Sequence, residues 1–260
     1  MATAQQQYIT EKDIQYYPDS VSGKDNYIKS QCTLDIYYPK EKKNFATIIW
    51  FHGGGLTGGK KEIPSALMEK GYAVIGVEYR LSPKVKAPKY IEDAAAAVAW
   101  AFQHIAGYGG NADQIFVSGH SAGGYLGMMI TLDKKYLNKY NIDANRIAAL
   151  IPFSGQAITH FTIRAERGIK DIQPIVDEYA PLYFVRADTP PILLITGDRE
   201  MELLGRYEEN AYLQRMFKLA GNTHTTLYEL QGFDHGGMAI PAFPLLLKKV
   251  DEVLKAGSKK

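Results

Sequence analysis

The sequence of 260 residues has one cysteine, little net charge and no long apolar run. Cys32 alone cannot form a disulfide within the chain, and it fits no zinc-site spacing. A net charge of +2 at pH 7 gives no basic surface of the kind that binds nucleic acid or an anionic membrane. No apolar stretch approaches the ~18 residues that a membrane-spanning helix needs. We therefore expect neither a nucleic-acid partner nor a membrane span.

A complete secretory leader is also missing from the printed sequence. Ala2, Thr3 and Ala4 resemble the small-residue end of a signal-peptide cleavage site, but no positive segment and no apolar segment precede them. Two locations stay open, the cytoplasm or export with the signal peptide already removed. The sequence does not determine the oligomeric state.

What the sequence does contain is an alternation of apolar strand-like and helical segments, which predicts one domain over residues 1–260. Ala46–Phe51 and Tyr72–Glu78 are continuous apolar runs, typical of parallel strands buried on both faces. Further strands are predicted at Thr33–Tyr38 (an edge or half-exposed strand), Ile115–Ser118, Ala148–Pro152, Ile192–Thr196 and Thr225–Leu230. Helices are predicted at Tyr90–His104, Ala122–Leu132, Leu203–Ala220 and Pro241–Leu254. The alternation predicts an α/β fold with a mostly parallel central sheet flanked by helices.

Residues 156–185 interrupt this alternation. The segment mixes prolines, aromatic residues and charges without a clear period, and it lies between two predicted core strands. A segment of this length is typical of a lid, a cap or a binding loop. We expect a small cap or lid insertion here, with a pair of ordinary surface helices as the alternative.

The pattern G-x-S-x-G occurs once, as Gly119-His120-Ser121-Ala122-Gly123, directly after a predicted strand and before a predicted helix. Small residues on either side of a serine permit a tight, strained turn that exposes its Oγ. The N-terminus of the following helix directs N–H groups toward the same place. Ser121 is therefore a candidate nucleophile.

A serine nucleophile needs a base, and the base needs an acid to orient it. His235 follows the last predicted strand, so it should reach the same edge of the sheet as Ser121. The acid should follow the strand Ile192–Thr196, where Asp198 and Glu200 both stand. The order serine, acid, histidine is the order that a nucleophile on a strand–helix turn of this kind requires.

A glycine-rich stretch, Ile48–Pro64, resembles two different anion-binding devices. Gly54–Lys60 spells the first seven residues of a P-loop. However, Lys61 stands where the magnesium-binding serine or threonine should follow. The stretch also contains His52-Gly53-Gly54-Gly55, which is the pattern of an oxyanion loop.

Taken together, HGGG, GHSAGG, VEYRLSP and DHGG resemble the α/β-hydrolase fold. Within that fold they are similar to the HGGG-bearing esterases, a group that includes hormone-sensitive lipase and bacterial acetyl and feruloyl esterases. The resemblance runs from about Leu34 to the last helix. It implies that the N–H groups of Gly54, Gly55 and Ala122 form the oxyanion hole. In that family the acid stands three residues after the glycine that ends its strand, which here is Glu200 in place of aspartate, with Asp198 as the alternative.

The resemblance implies a serine hydrolase that cleaves carboxylic esters through an acyl-enzyme, with no metal or organic cofactor. The expected substrates are small-molecule or saccharide esters with a short acyl group, acetyl or feruloyl in type. Two alternatives come from related folds. One is an amide hydrolase resembling arylformamidases or peptidases, and the other is a non-catalytic hydrolase-fold binding protein.

Overall fold

The computed structural model describes residues 6–257, so the expectation made for Ala2, Thr3 and Ala4 lies outside the described residues. The strands are β1 (Tyr8–Gln15), β2 (Thr33–Pro39), β3 (Phe45–Phe51), β4 (Ala73–Val77), β5 (Gly110–His120), β6 (Ala149–Phe153), β7 (Ile192–Gly197) and β8 (Thr225–Leu230). The α-helices are α1 (Asp19–Ser22), α2 (Asn26–Gln31), α3 (Lys89–His104), α4 (Ala122–Leu132), α5 (Lys135–Asn138), α6 (Phe161–Glu166), α7 (Arg206–Leu219) and α8 (Ala239–Gly257). The long elements match the predicted ones within a few residues.

The eight strands form one sheet in the order β1-β2-β4-β3-β5-β6-β7-β8. From β4 to β8 all neighbours are parallel, and β1 and β2 are antiparallel additions. The predicted sheet is therefore confirmed, with one correction. Thr33–Tyr38 is not an edge strand, because β1 pairs along its outer side and most of β2 is buried.

Strand β3 shows why the apolar runs are continuous. Ile49 and Phe51 belong to the apolar cluster that includes α3 and α4, whereas Ile48 and Trp50 belong to the cluster that includes α8. Both faces of the strand are buried, so a polar residue on either face would lose its water without gaining a partner. Helices on both sides thus cover the sheet.

A buried ion pair fixes the backbone just beyond β4. Arg80 donates through Nε and a terminal nitrogen to the two carboxylate oxygens of Asp93 on α3, at 2.8 and 2.7 Å. Tyr17 also donates to Asp93. The pair joins the loop after β4 to the first long helix.

Within residues 6–257, no helix combines the length and hydropathy required to cross a membrane. The parallel strands β3, β5, β6, β7 and β8 all end at the same edge of the sheet. The loops after them carry the sequence motifs, and the candidate site lies there.

Candidate active site

Ser121 occupies a strained turn between β5 and α4. Its backbone has φ 54° and ψ −114°, a left-handed conformation that residues with a side chain rarely adopt. The Ser121 N–H donates to the carbonyl of Phe153 at the end of β6, at 2.8 Å. Such strain persists only where surrounding contacts hold it, and it occurs mainly at functional sites. The turn has the form that the G-x-S-x-G pattern predicts.

The flanking glycines are required by close backbone contact. A Cβ on Gly123 would lie 2.0 Å from the carbonyl oxygen of Phe51, and one on Gly119 would lie 2.6 Å from the same atom. No larger residue fits at either position. The turn therefore rests directly on the end of β3.

The glycine-rich loop after β3 lies beside this turn. A Cβ on Gly53 would lie 3.5 Å from Cβ of Ser121. Gly54 and Gly55 have φ values of 112° and 64°, and the Gly54 carbonyl accepts from the N–H groups of Thr57 and Gly58. The loop that carries Gly54 and Gly55 therefore approaches the predicted nucleophile through Gly53. Ala122, the third predicted donor, is the first residue of α4, where N–H groups have no partner within the helix.

His52 braces the same loop. Its Nδ1 lies 2.6 Å from the Gly53 carbonyl oxygen and its Nε2 lies 3.0 Å from a carboxylate oxygen of Glu78. The ring stacks on Tyr79, whose hydroxyl donates to the His52 carbonyl. Glu78 in turn accepts from the N–H of Lys61. These contacts tie both ends of the glycine-rich loop to the end of β4.

His235 lies in the loop after β8 and packs against the residue that precedes the nucleophile. The rings of His120 and His235 are 4.8 Å apart, and Nε2 of His120 lies 2.8 Å from the His235 carbonyl oxygen. Burial, and then the nearby His235, lower the pKa of His120 to about 4. His120 is thus neutral near pH 7 and serves as packing for the His235 loop.

The carboxylate that contacts His235 is Glu202. Its Oε2 lies 2.7 Å from Nδ1 of His235, and its Oε1 accepts from the N–H of Gly197 at 2.9 Å. Burial acts to raise the pKa of this fully buried side chain, but the hydrogen bonds from His235, Ser154 and Gly197 lower it to about 2. Glu202 therefore holds a negative charge against the imidazole.

The sequence prediction for this carboxylate is corrected. Glu200 is exposed and its N–H donates to Asp198. The N–H groups of Met201 and Glu202 both donate to the Asp198 carbonyl, so the chain makes a helical turn after β7. That turn brings the fifth residue after Gly197, not the third, to His235.

Asp198 links the two loops instead of contacting His235. Its carboxylate accepts from the N–H groups of Glu200 and Gly232, and its own N–H donates to the Phe233 carbonyl. Asp198 thus holds the loop of Glu202 against the loop that carries His235. Glu202 is one of two residues that the sequence analysis missed, and the turn after β7 is the local feature that determines its position.

Ser154, the other missed residue, follows β6 and lies between the histidine and the acid. Its hydroxyl contacts both Oε1 of Glu202 and, at 3.1 Å, Nδ1 of His235. Nothing in the local sequence Pro152–Gly155 marks this position, because its partners come from distant loops.

The segment 156–185 contacts the glycine-rich loop through α6. The Thr162 hydroxyl donates to the Gly55 carbonyl, and a Cβ on Gly55 would lie 3.1 Å from the ring of Phe161. Glu166, at the end of α6, accepts from Ser82 and from the N–H of Ala87. The segment is therefore attached both to the candidate site and to the loop after β4.

Three arginines in and near this segment have partners within the protein. Arg164 is buried and donates to the carbonyls of Asp171 and Gln173. Arg167 pairs with Asp177, and Arg186 donates to the last two carbonyls of α4 and to Asp188. These contacts organise the segment itself.

A cavity of about 440 Å³ lies between segment 156–185 and the start of α7. Apolar and aromatic groups line it together with carboxylates and one guanidinium, among them Ile172, Tyr212, Glu208 and Arg164. Within residues 6–257, no group of three or more histidine, cysteine, aspartate or glutamate side chains is arranged to hold a metal ion.

A family model supplies the deciding comparison. The model described as BD-FAE matches residues 34–203, which is more than half of the chain. The chain belongs to the BD-FAE family. The matched residues include the glycine-rich loop, the turn that carries Ser121, and also Glu202. The resemblance to HGGG-bearing esterases is confirmed.

Named relatives of this BD-FAE protein are esterases. It is 28% identical over 169 residues to "Probable carboxylic ester hydrolase LipM" of Mycobacterium tuberculosis, covering 56% of this chain and 39% of LipM. It is 30% identical over 128 residues to "Acetyl esterase" of Salmonella typhi, covering 47% of this chain and 38% of that protein. The chain thus spans about two-fifths of the length of these two relatives.

Solved structures extend the comparison over nearly the whole BD-FAE chain. A "Truncated form of carbohydrate esterase from gut microbiota" has a TM-score of 0.76 at 21% identity, with 97% of this chain and 98% of that chain covered. Esterase B from Lactobacillus rhamnosis also has a TM-score of 0.76, at 20% identity, with 97% and 88% covered. These likenesses confirm the predicted α/β-hydrolase fold.

Proposed function

We propose that the protein is a serine hydrolase that cleaves carboxylic esters through an acyl-enzyme intermediate. The observation that carries the proposal is the Glu202–His235 pair, in which His235 contacts His120, the residue before the strained Ser121. Nucleophile, base and acid in these positions are the three parts that serine hydrolases require. The esterase names of the relatives support the same reaction.

In this reaction each nitrogen of His235 would have its own task. Nδ1 faces Glu202 and Ser154, which leaves Nε2 to take the proton of Ser121 as Oγ attacks the ester carbonyl. Because the pKa of Glu202 is low, its charge persists and stabilises the imidazolium. Nε2 then returns the proton to the leaving alcohol, and water hydrolyses the acyl-enzyme with His235 again acting as base.

The negative charge on the tetrahedral oxygen would be held by the N–H groups of Gly54, Gly55 and Ala122. The loop of the two glycines is fixed in advance by His52 and Glu78, so little reorganisation is needed when the charge develops. Ala122 adds the positive end of the α4 dipole. On this proposal the reaction needs no metal and no organic cofactor.

For the substrate we propose a short acyl group, acetyl or feruloyl in type, carried on a small molecule or a saccharide. The ring of Phe161 packs on Gly55 and limits the space above the oxyanion loop. The cavity near Tyr212, lined by residues outside the triad and the oxyanion loop, has an aromatic face and polar groups that suit a sugar. The acetyl esterase and carbohydrate esterase among the compared proteins support this choice. Segment 156–185 would act as the cap over the site.

The first experiment measures hydrolysis of p-nitrophenyl esters from acetate to decanoate, with Ser121→Ala protein as the blank. We expect activity that falls with acyl length and disappears in the variant. Equal activity in both proteins, or none in either, would contradict the proposed mechanism. Acetylated and feruloylated oligosaccharides then test the saccharide part of the proposal, and a formanilide substrate measures any competing amide hydrolysis.

A further inference from the structure

Ser154 has an unusual backbone for a residue with a side chain. It stands directly after β6, is fully buried and has φ 47°, in the left-handed region. A glycine would adopt this conformation without strain, whereas a Cβ makes it sterically unfavourable. The strain is held from both sides, because the Ser154 N–H donates to the Ile195 carbonyl and its carbonyl accepts from the buried Arg206.

The hydroxyl is what a serine adds at this position, and it has two partners. It donates to Oε1 of Glu202, and its oxygen lies 3.1 Å from Nδ1 of His235. A hydroxyl has one proton and two acceptor lone pairs, so it can donate to the carboxylate and accept from the imidazole together. Glu202 also contacts His235 directly, through its other carboxylate oxygen, Oε2, and the same Nδ1. The three side chains therefore form a closed triangle.

We propose that Ser154 is a positioning residue that keeps Glu202 aligned with His235. This inference rests on the proposed function, because it assigns Ser154 a task within the same reaction. When His235 takes the proton of Ser121, Nδ1–H remains between Glu202 and Ser154 Oγ. Without the hydroxyl, Oε1 of Glu202 keeps the N–H of Gly197 as a partner but loses the contact that ties it to the histidine.

The test uses Ser154→Ala and Ser154→Gly, with an ester of short acyl length. Both variants lose a hydrogen bond to the charged Glu202. From the strength of such bonds we predict that kcat falls about 10- to 100-fold, while KM changes little. Ser154→Gly relieves the backbone strain, so its melting temperature should be no lower than that of Ser154→Ala. A loss of kcat in a variant that is equally stable cannot result from unfolding.

Ser118→Ala is the matched control. Ser118 is also a buried serine, three residues before Ser121, but its hydroxyl donates to the Ile151 carbonyl and not to the triad. We expect kcat of this variant to stay within about twofold of the parent protein, because the change removes no contact to the reacting groups. An equal loss in Ser118→Ala would overturn the assignment of Ser154.

A double variant tests whether Ser154 acts through Glu202. In a Glu202→Gln background there is no carboxylate for the hydroxyl to align, so Ser154→Gly should cost little further activity. If the two losses multiply, or if both Ser154 variants keep the parent kcat, the inference fails. The proposed function fails by a different result, namely activity that survives in Ser121→Ala.

Discussion

Oε2 of Glu202 lies 2.7 Å from Nδ1 of His235, while Glu200 in the same turn is exposed. We therefore predict that Glu202→Gln lowers kcat on the order of 10⁴, as expected when the acid of a serine triad becomes an amide. Glu200→Gln, the matched change two residues earlier, should stay within about twofold. Steady-state kinetics of both variants decide this, and a severe loss in Glu200→Gln alone would restore the original sequence prediction.

Gly54→Ala should remove oxyanion stabilisation. The new Cβ would lie 2.2 Å from the Gly58 carbonyl oxygen, so the loop must move and the Gly54 N–H must move with it. We expect kcat to fall on the order of 10²–10³. Gly168→Ala is the control, because Gly168 also has positive φ, 71°, but has open space around it. Similar kinetic losses in the two variants would indicate backbone strain and not a lost oxyanion contact.

The Glu202 carboxylate should also make stability depend on pH in the acidic range. Its pKa in the folded protein is about 2, below its ordinary value of 4.5. The unfolded chain therefore takes up the proton first as the pH falls, and the stabilisation is complete above about 4.5 and is lost toward about 2. We predict that the difference in melting temperature between the parent and Glu202→Gln is largest at neutral pH and shrinks below pH 4.5. A difference that stays constant down to pH 3 would contradict this.

Asp93→Asn should destabilise the protein without changing the chemistry. The change leaves the buried Arg80 guanidinium without a charged partner, and breaking such a pair costs about 3–5 kcal/mol. Asp113→Asn is the control, since Asp113 pairs with Arg146 at the surface, where a pair is worth about 0–1 kcal/mol. Urea unfolding measures both. Equal stability of the two variants would mean that the buried pair contributes no more than the exposed one.

Local sequence was enough to predict the parallel sheet and the turn of Ser121. A continuous apolar run such as that of β3 indicates burial on two faces. The glycines at 119 and 123 indicate a backbone contact that leaves no space for a side chain. β1 was missed because half of its residues are exposed and charged or polar, so its apolar pattern is weak.

The local sequence could not predict the acid Glu202 or Ser154, for a different reason. Which carboxylate reaches His235 depends on the turn after β7, and that turn is held by the bonds of Asp198 to the loop of residues 231–238. Ser154 gains its partners only when β6, β7 and that loop are assembled. Contacts between distant loops, and not residue type, select these two positions.

The contact between Gly123 and the end of β3 has a consequence for how this protein can diverge. Because backbone touches backbone there, no side chain is present through which mutation could adjust the place of the nucleophile. Under the proposed function, new substrate preferences would arise where side chains are free to vary, in segment 156–185 and around the exposed Leu204 and Tyr212. Substitutions there would change the substrate while the reacting atoms keep their positions.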